Sequence, residues 1–165
     1  MFNCKLLNAR SLKNKFQDLQ YMLVTGSSDV VCCCETWLSP NVLDCSVVSD
    51  LPFTVYRCDR TDAAYGGACI ITRDSAVTAM QVNVDAKFKK LEVVAIDILN
   101  VVTPIRVITI YRSPSPDSDA DAISDMKRLI KCLKQLCDVN RSVVITGDIN
   151  INWKDINLLA DRDLC

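Results

Sequence analysis

Apolar positions along this chain change their period several times, and each change marks an element. Residues 2–7 read as a strand, with Asn8 at its end. Leu12, Phe16, Leu19 and Leu23 then recur at helical spacing, which predicts an amphipathic helix with Ser11 as its N-cap. Arg10, Lys13 and Lys15 sit near the start of that helix, and the two lysines read as a solvated face. Gly26-Ser27-Ser28-Asp29 is a turn. Residues 30–34, Val-Val-Cys-Cys-Cys, are apolar without a break and predict a buried strand. Residues 39–50 read as loop and 53–58 as a strand. Gly66-Gly67 opens a strand over 68–72, and two glycines there predict close backbone approach or a bulge. Residues 76–84 predict a further strand, joined to it as a hairpin through Arg73-Asp74-Ser75. Residues 91–99 alternate, with Val93 and Ala95 against Glu92 and Asp97. The next strand covers 105–110, with Tyr111 and Arg112 at its end. Two prolines make 113–118 a loop. Ile123, Met126, Ile130 and Leu133 share one face of a helix over 119–137. Val143-Val144-Ile145 carries the last strand, over 142–146, which Gly147 ends. The tail, 154–165, is short and partly helical in character.

This order predicts an α+β domain spanning residues 1–165. Its two stacked, mostly antiparallel β-sheets are flanked by helices in a four-layer sandwich. With half of its 165 residues hydrophobic, the chain is built to fold. Its net charge of −1 gives no global support for nucleic-acid binding, so any such binding rests on a local patch. No apolar run is long enough to span a bilayer, so no membrane partner is expected, and the first residues lack the parts of a secretory signal. Ten cysteines is a high count, but there is no Cys-x-x-Cys pair and no histidine, which argues against a zinc site. The cysteines read as small buried hydrophobes in a reducing, intracellular compartment, with no disulfide-linked partner.

The candidate chemistry lies at strand ends. Asp148 and Asn150 are two residues apart, so on an extended backbone a carboxylate and an amide share one face. Such a pair suits Mg²⁺-dependent phosphate chemistry: the carboxylate orients or deprotonates a water and the amide donates to a phosphoryl oxygen. The same residues also suit an Asx turn, and on their own they leave both readings open. Glu35 stands directly after a buried strand, at a sheet rim where strand ends build sites in layered folds, and where ordinary exposed acids are also common. Asn8, Glu35, Tyr111, Asp148 and Asn150 each follow a predicted strand. All are oxygen or amide groups suited to a hard cation and a phosphate, and Mg²⁺ often takes only one or two carboxylates.

Five segments carry a resemblance: Asn8-Ala9-Arg10-Ser11-Leu12, Glu35-Thr36-Trp37-Leu38, Tyr65-Gly66-Gly67-Ala68, Tyr111-Arg112-Ser113-Pro114 and Gly147-Asp148-Ile149-Asn150. In that order they resemble the endonuclease/exonuclease/phosphatase superfamily, and specifically the apurinic-type endonuclease domain of non-LTR retrotransposons. The resemblance implies Mg²⁺- or Mn²⁺-dependent nicking of a DNA strand, in the nucleus, to prime reverse transcription. By resemblance Glu35 is a metal ligand, Asn8 an amide near metal and phosphate, and Tyr111 a phosphate contact. Asp148 positions or activates the attacking water, and Asn150 steadies the transition state.

Members of that family also carry a closing section with a further Asp and an Asp-His pair, whereas this chain has no histidine. The resemblance therefore implies the N-terminal portion of such a domain, incomplete at the C-terminus and weak or inactive as a nuclease. It also implies open sheet edges that invite self-association. Two alternatives stand beside it. One is a non-catalytic remnant that at most binds Mg²⁺ or nucleic acid. The other is a phosphatase or phosphodiesterase of the same superfamily, which the Glu-Thr-Trp-Leu and Tyr-Arg-Ser-Pro forms disfavour.

Overall fold

Parity decides the layering of this molecule. All of Val30–Cys34 is buried. Successive side chains of a strand point to opposite faces, and here Val31 and Cys33 pack on one side while Val30, Cys32 and Cys34 pack on the other. An unbroken apolar run is what a strand needs when both its faces are covered. The computed structural model describes residues 2–88, 91–114, 119–137 and 139–151.

Among the described residues eight strands form two four-stranded sheets. The first holds β1 (Cys4–Asn8), β2 (Val30–Cys34), β3 (Phe53–Cys58) and β4 (Ala68–Arg73), in the order β1-β2-β4-β3. The second holds β5 (Ala79–Val82), β6 (Glu92–Ile98), β7 (Ile105–Tyr111) and β8 (Ser142–Asp148), in sequence order. The β1–β2 and β7–β8 pairs are parallel and the rest antiparallel. A parallel pair needs a long crossover. Helix α1 (Phe16–Thr25) supplies the first and α3 (Asp119–Cys137) the second. A short α2 (Asp44–Val48) joins α1 over the first sheet. The α3 residues Met126, Leu129, Cys132 and Leu136 pack on Val93, Ala95, Ile108 and Ile110 of the second sheet. Between the sheets Val30, Cys32, Ile70, Val94, Ile96, Ile98 and Val107 interlock. Each large aliphatic chain so buried contributes about 1.5–3 kcal/mol. The result is the expected two-sheet sandwich with helices outside.

Several local expectations change. Ser11 is not a helix cap: Arg10 and Ser11 have φ of 42° and 79°, and the Ser11 and Leu12 amides donate to the Glu35 and Thr36 carbonyls instead of starting a helix. The helix starts at Phe16, and Leu12 is buried from the loop before it. Lys15, expected on a solvated face, turns its ammonium onto the Ala9 and Arg10 carbonyls at 2.7 and 3.1 Å. The loop expected over 39–50 contains α2, too short to show a helical period.

The hairpin expected between residues 68–72 and 76–84 does not form. The chain turns at Arg73, Val77 inserts between the sheets, and β5 pairs with β6 of the second sheet. Adjacent strands had separate apolar faces to bury, and the sandwich buried them in different layers. Gly147 does not end β8, which runs on to Asp148 with Gly147 opposite Ile110. Its φ of 132° and its proximity to the Ile110 carbonyl leave no room for a Cβ there. The expectations for 115–118, Trp153 and the tail 154–165 lie outside the described residues.

Candidate active site

Register brings the candidate residues together. In the second sheet Glu92 pairs with Tyr111 and Tyr111 with Asp148, so the three stand in one row across β6, β7 and β8. In the first sheet Asn8 pairs with Cys34, Cys34 with Ala68, and Ala68 with Cys58, a second row across β1, β2, β4 and β3. Paired residues share a face. Cys34, Ala68 and Tyr111 all lie in the core between the sheets, so the two rows face each other at one end of the sandwich. The Cys34 thiol closes the gap by donating to the Ile110 carbonyl at 3.3 Å. Burial pushes that thiol up to about 12, so it stays protonated and is no nucleophile at neutral pH.

At the open side of these rows the Asn8 amide meets two carboxylates. Its Nδ2 donates to Glu35 Oε1 at 2.9 Å and to Asp148 Oδ2 at 3.5 Å. Its Oδ1 accepts from the Arg10 backbone amide at 3.3 Å, so the nitrogen is the end turned to the acids. Among the described residues neither Glu35 nor Asp148 has a Lys or Arg ion-pair partner. Two oxygen-donor groups converge there without a countercharge, and that donor set fits a small hard cation completed by water. Among the described residues no group of three or more His, Cys, Asp or Glu side chains is placed to hold a metal ion by itself.

Tyr111 is buried beneath this group. Burial, then the charges of Glu35, Glu92 and Asp148, push its hydroxyl above the ordinary tyrosine range. It is therefore a neutral hydrogen-bond donor at physiological pH. A cleft of about 440 Å³ opens beside it, lined by Arg60, Glu92, Tyr111, Ser113 and Arg128 among others.

Asn150 does not share the extended geometry expected of it. Its φ is 43°, and its backbone amide donates to Asp148 Oδ1 at 3.2 Å, which is an Asx turn. Its side chain donates to the Arg112 carbonyl at 2.7 Å, while Arg112 Nη1 returns a bond to the Asn150 carbonyl at 3.0 Å. This mutual clasp sets the loop after β8. It joins Asn150 to Asp148 through the backbone but to neither Asn8 nor Glu35.

Three residues at the site were given no role by the sequence. Arg112 braces the 148–150 loop. Arg60 Nη1 donates to Ser113 Oγ at 2.6 Å and lies 3.3 Å from Glu92 Oε1. Glu92 accepts the Gly67 amide. Gly66-Gly67 did predict a close approach, and a Cβ on Gly66 would stand 2.5 Å from Glu92 Oε2. The approaching group was not legible, because Glu92 reads only as the polar member of an alternating strand.

No protein-family model and no curated protein matches the sequence. Solved structures do match the fold. D. rerio TDP2 complexed with a single-strand DNA product has a TM-score of 0.65 at 12% identity, over 96% of this chain and 64% of that one. The endonuclease domain of TRAS1, a telomere-specific non-LTR retrotransposon, has a TM-score of 0.63 at 12% identity, over 97% and 71%. An AP endonuclease from Archaeoglobus fulgidus has a TM-score of 0.70 at 18% identity, over 92% and 58%. The chain thus spans 64% of the TDP2 structure and 58% of the AP endonuclease. With its two sheets, outer helices and topology, it has the endonuclease/exonuclease/phosphatase fold, the fold that the endonuclease domain of a non-LTR retrotransposon also has.

Proposed function

We propose that this chain is part of a Mg²⁺- or Mn²⁺-dependent DNA endonuclease domain of the non-LTR retrotransposon type, and that these 165 residues alone nick DNA slowly or not at all. One observation carries the reading: the Asn8 amide joins Glu35 and Asp148, two carboxylates without a paired cation among the described residues, at the strand-end rim. Glu35 would hold the cation, which when bound supplies a Lewis acid that offsets charge on the phosphoryl oxygens. Asp148 takes the proton of the attacking water. Tyr111, kept neutral, donates to a non-bridging oxygen. Asn150 steadies the Asp148 loop through its bond to the Arg112 carbonyl. DNA is the proposed partner, met in the nucleus.

The weak point of this machinery is the leaving oxygen. It departs as an alkoxide and needs a proton near neutral pH, and the chain holds no imidazole to give one. The test is nicking of supercoiled plasmid with Mg²⁺, beside Asp148→Ala and a circular-dichroism check of folding. The expected result is a folded chain with little or no nicking. Robust turnover lost in Asp148→Ala would support the nuclease and overturn its weakness. Robust turnover kept in Asp148→Ala would overturn the site.

Self-association is part of the same reading. Strands β1 and β8 are sheet edges that face each other, with Leu6 and Ile145 each half-exposed. Sedimentation at rising concentration should show dimers or larger species, and Ile145→Lys should reduce them by placing a charge on the edge.

A further inference from the structure

Backbone strain in this molecule gathers at the candidate site. Arg10, Ser11, Glu35, Trp37, Gly66, Gly67 and Asn150 all have φ in the left-handed region. Non-glycine residues hold such conformations only where their surroundings over-determine them. For Glu35 and Trp37, at 53° each, the surroundings are two neighbouring loops. On one side the Glu35 and Thr36 carbonyls accept the Ser11 and Leu12 amides at 2.8 and 2.9 Å. On the other side the Thr36 and Trp37 amides donate to the Gly67 and Gly66 carbonyls at 3.3 and 2.7 Å.

The Gly66-Gly67 turn is itself held from the opposite sheet. Glu92, the first residue of β6, is buried and accepts the Gly67 amide. Arg60 is its one ion-pair partner among the described residues, at 3.3 Å. Both glycines are required. A Cβ on Gly66 would strike the Glu92 carboxylate, and one on Gly67 would stand 2.5 Å from Thr36 Oγ1. A continuous line of hydrogen bonds therefore runs from Glu92 through Gly67 and Gly66 to Thr36 and Trp37, the two residues that follow Glu35.

We infer that Glu92 is a positioning residue for Glu35: by clamping the Gly66-Gly67 turn across the sheets, it keeps the Glu35–Trp37 segment, left-handed at Glu35 and Trp37, in the conformation that faces the Glu35 carboxylate toward Asn8 and Asp148. The inference rests on the reading of Glu35 as the cation ligand, and its test separates the two. Amide hydrogen exchange at Thr36 and Trp37, measured without any cation, reads the clamp. Binding of Mn²⁺ alone, followed by electron paramagnetic resonance of the free ion, reads the ligand. Wild type, Glu92→Ala, Glu92→Gln and Glu35→Ala are compared.

The expected result for Glu92→Ala is faster exchange at Thr36 and Trp37 and a Mn²⁺ affinity about tenfold weaker, the loss typical of an outer-sphere partner. In Glu92→Gln the amide oxygen still accepts from Gly67, so both readouts recover most of the way. A purely structural role predicts no such rescue pattern in cation affinity. Unchanged exchange in Glu92→Ala overturns the clamp. Faster exchange with unchanged Mn²⁺ affinity, where Glu35→Ala abolishes binding, overturns the positioning of Glu35. Mn²⁺ binding that is the same in Glu35→Ala and wild type removes the cation reading and with it the inferred role of Glu92. If Glu92→Ala does not fold, Glu92→Ala/Arg60→Ala, which removes both members of the Arg60–Glu92 pair, carries the same readouts.

Discussion

Strand β6 carries two buried carboxylates, one near each end, and the protein treats them oppositely. Asp97 is satisfied by charge. Arg106 Nε and Nη2 reach its two oxygens at 2.8 and 2.9 Å, and Arg141 Nη1 reaches Oδ2 at 2.6 Å. The Arg106 bonds hold its carboxyl below the usual carboxylate range. Arg106 also donates to the Leu136 carbonyl at 2.8 Å, which satisfies the last turn of α3. Glu92 is equally hidden but has one backbone amide and one shared guanidinium, and burial pushes its carboxyl up. Two charge partners replace water in one case, while in the other the replacement is incomplete. The Asp97 end holds the sheet to its helix. The Glu92 end spends its carboxylate on holding a strained loop, and most of the left-handed residues lie at that same end. Stability and candidate function thus sit at opposite ends of one strand.

Asp97 should give the largest effect. Asp97→Ala leaves Arg106 buried without its partner, and is expected to cost about 3–5 kcal/mol in urea unfolding. Mn²⁺ binding by the protein that remains folded should be unchanged. A cost below about 1 kcal/mol would erase the contrast between the two ends.

Isosteric neutral variants sharpen the contrast next. Asp97→Asn loses the bidentate charge pairing and should still destabilise by about 2 kcal/mol. Glu92→Gln keeps the Gly67 bond and sheds a poorly solvated charge, so it should change stability by less than about 1 kcal/mol.

Their pH dependence should also differ in sign. The Glu92 carboxyl is raised in the folded state, so its favourable contribution is present below the unfolded carboxyl value and lost as pH rises through the raised one. The Asp97 carboxyl is lowered, so its contribution is present above the unfolded value and lost as pH falls through the lowered one. Urea midpoints between about pH 3 and 7 should therefore show wild type gaining on Asp97→Asn and losing ground to Glu92→Gln as pH rises. Parallel curves would break the comparison.

The smallest effect is spectroscopic. Tyr111 borders Glu92 in the site row. Burial and its three acidic neighbours should delay its ionisation past the ordinary tyrosine range. The difference in ultraviolet titration between wild type and Tyr111→Phe isolates it, and an ionisation near pH 10 would show that the site end is better solvated than its burial implies.

The sequence by itself determined the elements whose apolar pattern is long or unbroken. The bounds of β2, β3 and α3 follow from Val30–Cys34, from Phe53–Cys58 and from the helical face of Ile123, Met126 and Leu133. It also marked Asn8, Glu35, Tyr111 and Asp148, because each closes or follows such a run and strand ends form the rim of a layered fold. Tertiary structure decided what has no local signature. Whether β4 and β5 form a hairpin depends on which sheet has a free edge and a face to cover, and Val77 turned the chain into the second sheet. Asn150 was free to continue the strand until Arg112 engaged it. Glu92 acquired its neighbours from the first sheet only when the two sheets stacked, since a carboxylate on an alternating strand carries no record of the turn it will meet.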